Sequence, residues 1–110
     1  MSHRGNLVIA DKKGYQVYKC HCALVMPQLM FWGSEFAIDF IEEHTSSQNW
    51  YDVVDDEGSI LIDTSQKIVF LYGGEFISVD IPRRRLFLEL MNIVWVGWDI
   101  QWAKSGLFDI

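Results

Sequence analysis

A chain of 110 residues, half of them hydrophobic and 15% aromatic, carries enough apolar material for one core, which excludes a disordered tail or linker. Its net charge of −6 repels a polyanion, so no nucleic acid is expected as a partner. No stretch approaches the roughly 18 apolar residues of a membrane span, so no membrane partner is expected either.

Along the chain, residues 5–11 read as a strand with the continuous apolar run Leu7, Val8, Ile9, Ala10. Lys12-Lys13-Gly14 suits a hairpin loop, and residues 15–22 suit the partner strand. Residues 23–33 are apolar but interrupted by Pro27, which predicts a short extended piece and then a turn. Ser34 fits an N-cap followed by Glu35 in the first turn. From there Phe36, Ala37, Phe40 and Ile41 recur at helical spacing, with Asp39, Glu42 and Glu43 toward water and His44 in the last turn. Residues 45–49 form a polar loop, and residues 50–54 either a short strand or a turn of helix.

After an acidic turn at residues 55–58, a meander is expected: strands at 59–63, 67–72 and 75–81, with Gly73-Gly74 as a hairpin signal. Pro82, with Asp80 as cap, opens a second helix whose buried stripe is Phe87, Leu90, Met91 and Val94, widened by Leu86 and Trp95. Gly97 stops it, and residues 98–104 make the closing strand. The order ββ-α-βββ-α-β implies an α+β fold in one domain over residues 1–110. A mainly antiparallel sheet of about six strands would carry two helices on one face.

Three of the five tryptophans fall in WVGWDIQW, residues 95–102. Trp98, Ile100 and Trp102 alternate with polar neighbours and therefore share one strand face, which is expected to pack beneath the second helix rather than form an open stacking surface. With this segment, RGN at residues 4–6, FWG and Glu35 at residues 31–35 and YGGE at residues 72–75 resemble a family of small bacterial proteins of uncharacterised function. The resemblance spans nearly the whole chain. It implies a compact bacterial protein and carries over no catalytic residue.

Candidate chemistry starts with Cys20-His21-Cys22. On an extended strand the two sulfurs lie about two residue rises apart, too far for an ordinary disulfide, so both thiols are expected to be reduced, as in a cytoplasmic protein. His21 points to the opposite face, and no C-x-x-C pair is present, so no metal site and no cofactor are expected. As nucleophiles, Cys20 and Cys22 with His21 would make a small cysteine-dependent hydrolase or transferase, the alternative reading of the chain. The acidic run Asp52, Asp55, Asp56, Glu57 and Asp63 fails the calcium-loop spacing at both ends and reads as a solvated turn.

Arg83 and Arg84 stand at a helix start, where the dipole disfavours cations. If Arg85 pairs with Glu89 one turn on, they are left for a partner carboxylate or phosphate. A serine behind the initiator methionine offers an N-terminal nucleophile only in the sense that any Met-Ser start does. No G-x-S-x-G, phosphate-binding glycine loop or H-E-x-x-H occurs. The leading expectation is a non-catalytic protein-interaction module, of the toxin-neutralising immunity kind in one form, with another protein as partner. Its expected binding surface is Trp50, Tyr51, Asp55, Asp56 and Glu57, with Arg83 and Arg84 in addition. Pairing between copies along an edge strand stays open.

Overall fold

The hairpin read from the first twenty residues forms, with β1 (Gly5–Asp11) and β2 (Gly14–Cys20) paired antiparallel from Gly5↔Cys20 to Asp11↔Gly14. At its turn the Lys13 N–H donates to Asp11 Oδ1 at 2.8 Å. The computed structural model describes residues 4–47, 50, 57–74, 77–104 and 110. Among these the remaining elements are α1 (Met26–Met30), α2 (Ser34–Glu42), β3 (Ser46–Ser47), β4 (Ser59–Asp63), β5 (Ile68–Tyr72), α3 (Ile81–Val94) and β6 (Asp99–Trp102).

The fold is α+β, as the sequence implied, but the sheet is mixed. Its order is β3-β2-β1-β4-β5-β6, with a two-residue strand at one edge. β1 runs parallel to β4 and β5 parallel to β6, while the other pairs are antiparallel. The parallel joins follow from the connections: α3 carries the chain from the end of β5 back to the start of β6, and a crossover of this kind returns a strand in the same direction. The expected strand over residues 75–81 corrects to something else. Residues 75 and 76 lie outside the described ones, residues 77–80 form turns, and Ile81 already belongs to α3.

Register explains the core. Along one face, Leu7, Ile60, Leu71 and Trp102 line up across four strands, and beside them Ile9, Ile62, Val69 and Ile100. Met26 and Met30 of α1, Ala37 and Ile41 of α2, Met91 of α3 and Trp95 join this same buried cluster. Three helices rather than two therefore cover this face. The added one is α1, in the segment read as extended: Pro27 lies in its first turn, where a missing N–H and a fixed φ cost nothing, so the proline begins a helix instead of breaking one. Each fully buried Leu or Ile in these rows contributes about 1.5–3 kcal/mol.

The helix ends differ in part from those the sequence implies. Gly33, not Ser34, is the N-cap of α2, and no side chain caps it. His44 lies past the helix, its Nδ1–H donating to the Phe40 carbonyl at 3.0 Å. For α3 the reading holds: Asp80 is the N-cap, its carboxylate accepting from the Arg83 N–H at 3.1 Å, with Pro82 in the first turn. Asp80→Ala is expected to lower stability by about 1 kcal/mol, measured as a shifted urea midpoint at unchanged slope.

A candidate interaction surface

The inner side of α3 is set by Phe87, Leu88, Met91 and, just past the helix, Trp95; only Met91 and Trp95 are fully buried. On one flank of this stripe Asn92 ties the helix to the sheet. Its Oδ1 accepts the Ile100 N–H at 3.2 Å, and its Nδ2 donates to the Leu88 carbonyl at 2.9 Å. On the other flank stand Leu86, Leu90 and Ile93, at i, i+4 and i+7, and these are open to solvent at 56%, 45% and 70%. The buried stripe expected from the sequence is corrected here. Leu86, Leu90 and Val94 belong to the exposed flank.

This flank continues beyond the helix. Val94, Val96 and Trp98 line a depression shared with Trp32, Gly33 and Phe36 at the start of α2. Trp32 and Val96 are among the most exposed apolar side chains, and Phe36 is half exposed. Trp32 meets Phe31 edge-on at 5.3 Å between ring centroids, and Phe31 in turn stacks against Phe87. The aromatic shelf is thus held from behind by the core. Single exposed apolar residues are ordinary, whereas here several adjoin along α3 and the start of α2.

The three C-terminal tryptophans divide. Trp95 is core: its indole N–H donates to the Met30 carbonyl at 2.9 Å, and Trp98 meets it edge-on at 5.2 Å. Trp102 faces α3 as expected, but half-buried, with the Arg84 guanidinium 4.5 Å from its ring centroid. Trp98 is half-buried at the rim of the depression, so the expectation that no indole borders an open surface is corrected for this one.

The cysteine reading is overturned. Cys20 and Cys22 are joined by a disulfide, with Cα atoms 5.4 Å apart. The separation expected of one continuous strand does not arise, because β2 ends at Cys20 and the chain bends at His21, which brings the sulfurs together. No free thiol remains, so a cysteine nucleophile is not available in this state, and the expected reduced pair is corrected to an oxidised one. His21 is exposed. It lines a second depression with Lys19, Glu43 and His44. Among the described residues no three His, Cys, Asp or Glu side chains are placed to hold a metal ion.

No family model matches the chain, and no curated protein or solved structure is significantly similar to it.

The other expected site residues scatter. Trp50 packs against Tyr15, with centroids 5.7 Å apart, while Tyr51, Asp52, Asp55 and Asp56 lie outside the described residues. Glu57 is exposed and its N–H donates to the Arg4 carbonyl at 2.8 Å. Asp63 serves its own loop: the Ser65 hydroxyl at 2.7 Å, with the N–H groups of Ser65 and Gln66, holds its carboxyl below the usual carboxylate value. Arg83 and Arg84 both make contacts within the chain. Arg83 pairs with Asp80 at 3.7 Å, and Arg84 covers Trp102 and donates to the Ser78 carbonyl.

The exposed flank of α3 had a trace in the sequence. By sequence Leu90 reads as part of the buried stripe and Leu86 as widening it, yet Phe87, Leu88, Met91 and Trp95 fill the inward arc, so the apolar residues beyond it face elsewhere.

Proposed function

We propose that this protein is a non-catalytic protein-interaction module that docks another protein on the open flank of α3 and the adjoining Trp32–Phe36 shelf. The observation that carries the reading is the solvent exposure of Leu86, Leu90 and Ile93 at helical spacing, continued by Val96 and Trp32. Aromatic and aliphatic anchors of this kind dominate binding energy when a partner covers them. The net charge of −6 adds long-range attraction toward a basic partner. A toxin-neutralising immunity protein is one form such a module takes. A bacterial origin, shared with the small proteins that the RGN and W-x-G-W segments resemble, belongs to the same proposal.

The test compares the intact chain with Leu90→Glu and Ile93→Glu as baits in extracts of the source cell. Both sites are exposed, so the variants are expected to keep the circular dichroism and melting temperature of the parent. A partner retained stoichiometrically by the parent should bind the variants tenfold or more weakly, on the order of the 1.4 kcal/mol that one anchor supplies. Retention unchanged by both substitutions would remove this surface from consideration. Light scattering on the same samples separates a second copy of the chain from a different protein.

A further inference from the structure

The two cysteines form a bridge that does little for the fold. They lie two positions apart, and the stabilisation a disulfide gains from restricting the unfolded chain falls with loop length, so this loop gains close to the least available. The bridge also sits at the end of a strand rather than within one. β2 ends at Cys20, and Cys22 begins a turn closed by the Val25 N–H donating to the Cys22 carbonyl at 3.1 Å. The disulfide thus spans a single bend, at His21, between the end of β2 and this turn.

Its two sulfurs are not equivalent. Cys20 is 2% exposed and belongs to the core cluster, whereas Cys22 is half-buried at the cluster's margin. Cys20 Sγ accepts the Cys22 backbone N–H at 3.4 Å. A hydrogen bond to sulfur favours the thiolate, and a better thiolate is a better leaving group. Access thus directs an incoming thiolate to Cys22, and the N–H favours release of Cys20.

We propose that Cys20 and Cys22 form a thiol–disulfide exchange site that oxidises a dithiol, independently of the docking surface. A thiolate of the dithiol attacks Cys22 Sγ; the bond between the cysteines breaks and its electron pair leaves on Cys20. The second thiolate of the substrate then attacks the sulfur joined to Cys22, forming the substrate disulfide and releasing the Cys22 thiolate. Two electrons pass to the chain, which ends as the Cys20, Cys22 dithiol. A low-molecular-weight disulfide restores it by the reverse steps, being reduced to two thiols.

The full-length chain equilibrated across a series of glutathione to glutathione disulfide ratios, acid-quenched, alkylated and weighed by mass spectrometry, tests this. The bridge is expected to pass from oxidised to reduced within the series, unlike structural disulfides, which resist this pool. The transient glutathione adduct should map to Cys22. Cys20→Ser should accumulate that adduct, and Cys22→Ser should not. With a model dithiol peptide and glutathione disulfide, the parent should raise the oxidation rate about tenfold or more over the uncatalysed exchange. A bridge that stays oxidised throughout, an adduct that maps equally to both cysteines, or no rate increase would overturn the proposal. The first and third readings use only the parent protein, so they hold even if a serine variant fails to fold.

Discussion

Trp95→Ala is expected to lower the unfolding free energy by about 3–5 kcal/mol, the range for deleting a large aromatic from a core that cannot collapse around the gap. Several observations place Trp95 in that range. It is 1% exposed, it lies among core side chains from the sheet and all three helices, and its indole N–H reaches a carbonyl 65 positions away in α1. Truncation would therefore open a cavity and leave the buried Met30 carbonyl without this donor. Trp95→Phe separates the two effects. It keeps most of the packing but loses the donor, and should cost about 1–3 kcal/mol, the penalty for an unsatisfied buried acceptor. Trp98→Ala should cost less than Trp95→Ala, because Trp98 is half-buried at the rim of the depression. Urea unfolding monitored by far-ultraviolet circular dichroism reads all three. A Trp95→Ala loss below about 1 kcal/mol would contradict its place in the core.

The second large effect is expected at Gly73, immediately after β5. Its φ is +99°, which side-chain-bearing residues rarely adopt. A Cβ added there would sit 2.5 Å from Gly58 Cα and 2.8 Å from the Glu57 carbonyl oxygen, both backbone atoms that cannot swing aside. Gly73→Ala therefore adds a clash between two chain segments to a conformational cost of about 1–3 kcal/mol, and a total above about 3 kcal/mol is expected. Gly97→Ala is the control. Gly97 also has a positive φ, +84°, but a Cβ there meets nothing within 4 Å, so only the conformational part should appear. Equal losses at the two positions would mean that the approach of residues 57 and 58 to the end of β5 is not close.

The candidate surface was harder to read from the sequence than the fold. The acids and aromatics singled out around residue 50 carry charge and bulk, which any surface turn does. The exposed flank of α3 is made of leucine and isoleucine, which in a sequence look like core. Only when the sheet has taken up Phe87, Leu88 and Met91 does it emerge that Leu86, Leu90 and Ile93 are left open to solvent. The disulfide is a similar case. Its distance depends on the bend at His21, and a C-x-C spacing is compatible with either an extended or a bent chain.

Local order was written in the residues themselves. The β1–β2 hairpin, the paired strands β4 and β5, the body of α2, and the start of α3 at Asp80 all rest on contacts between residues near in sequence, whereas α3 stops at Val94 with Trp95 as its C-cap, short of Gly97. Periodicity and capping report on contacts of that range. The tertiary structure decided what joins distant segments: β1 beside β4 and β5 beside β6 in parallel, α1 added to the covering layer, and one flank of α3 left open. Even the clue in the apolar run Leu7 to Ala10, where continuous hydrophobicity suits a strand covered on both faces, names no neighbour. Parallel pairing and helix facing are set by which surfaces are left to bury once the hairpins exist. That is a property of the assembled chain and not of any stretch within it.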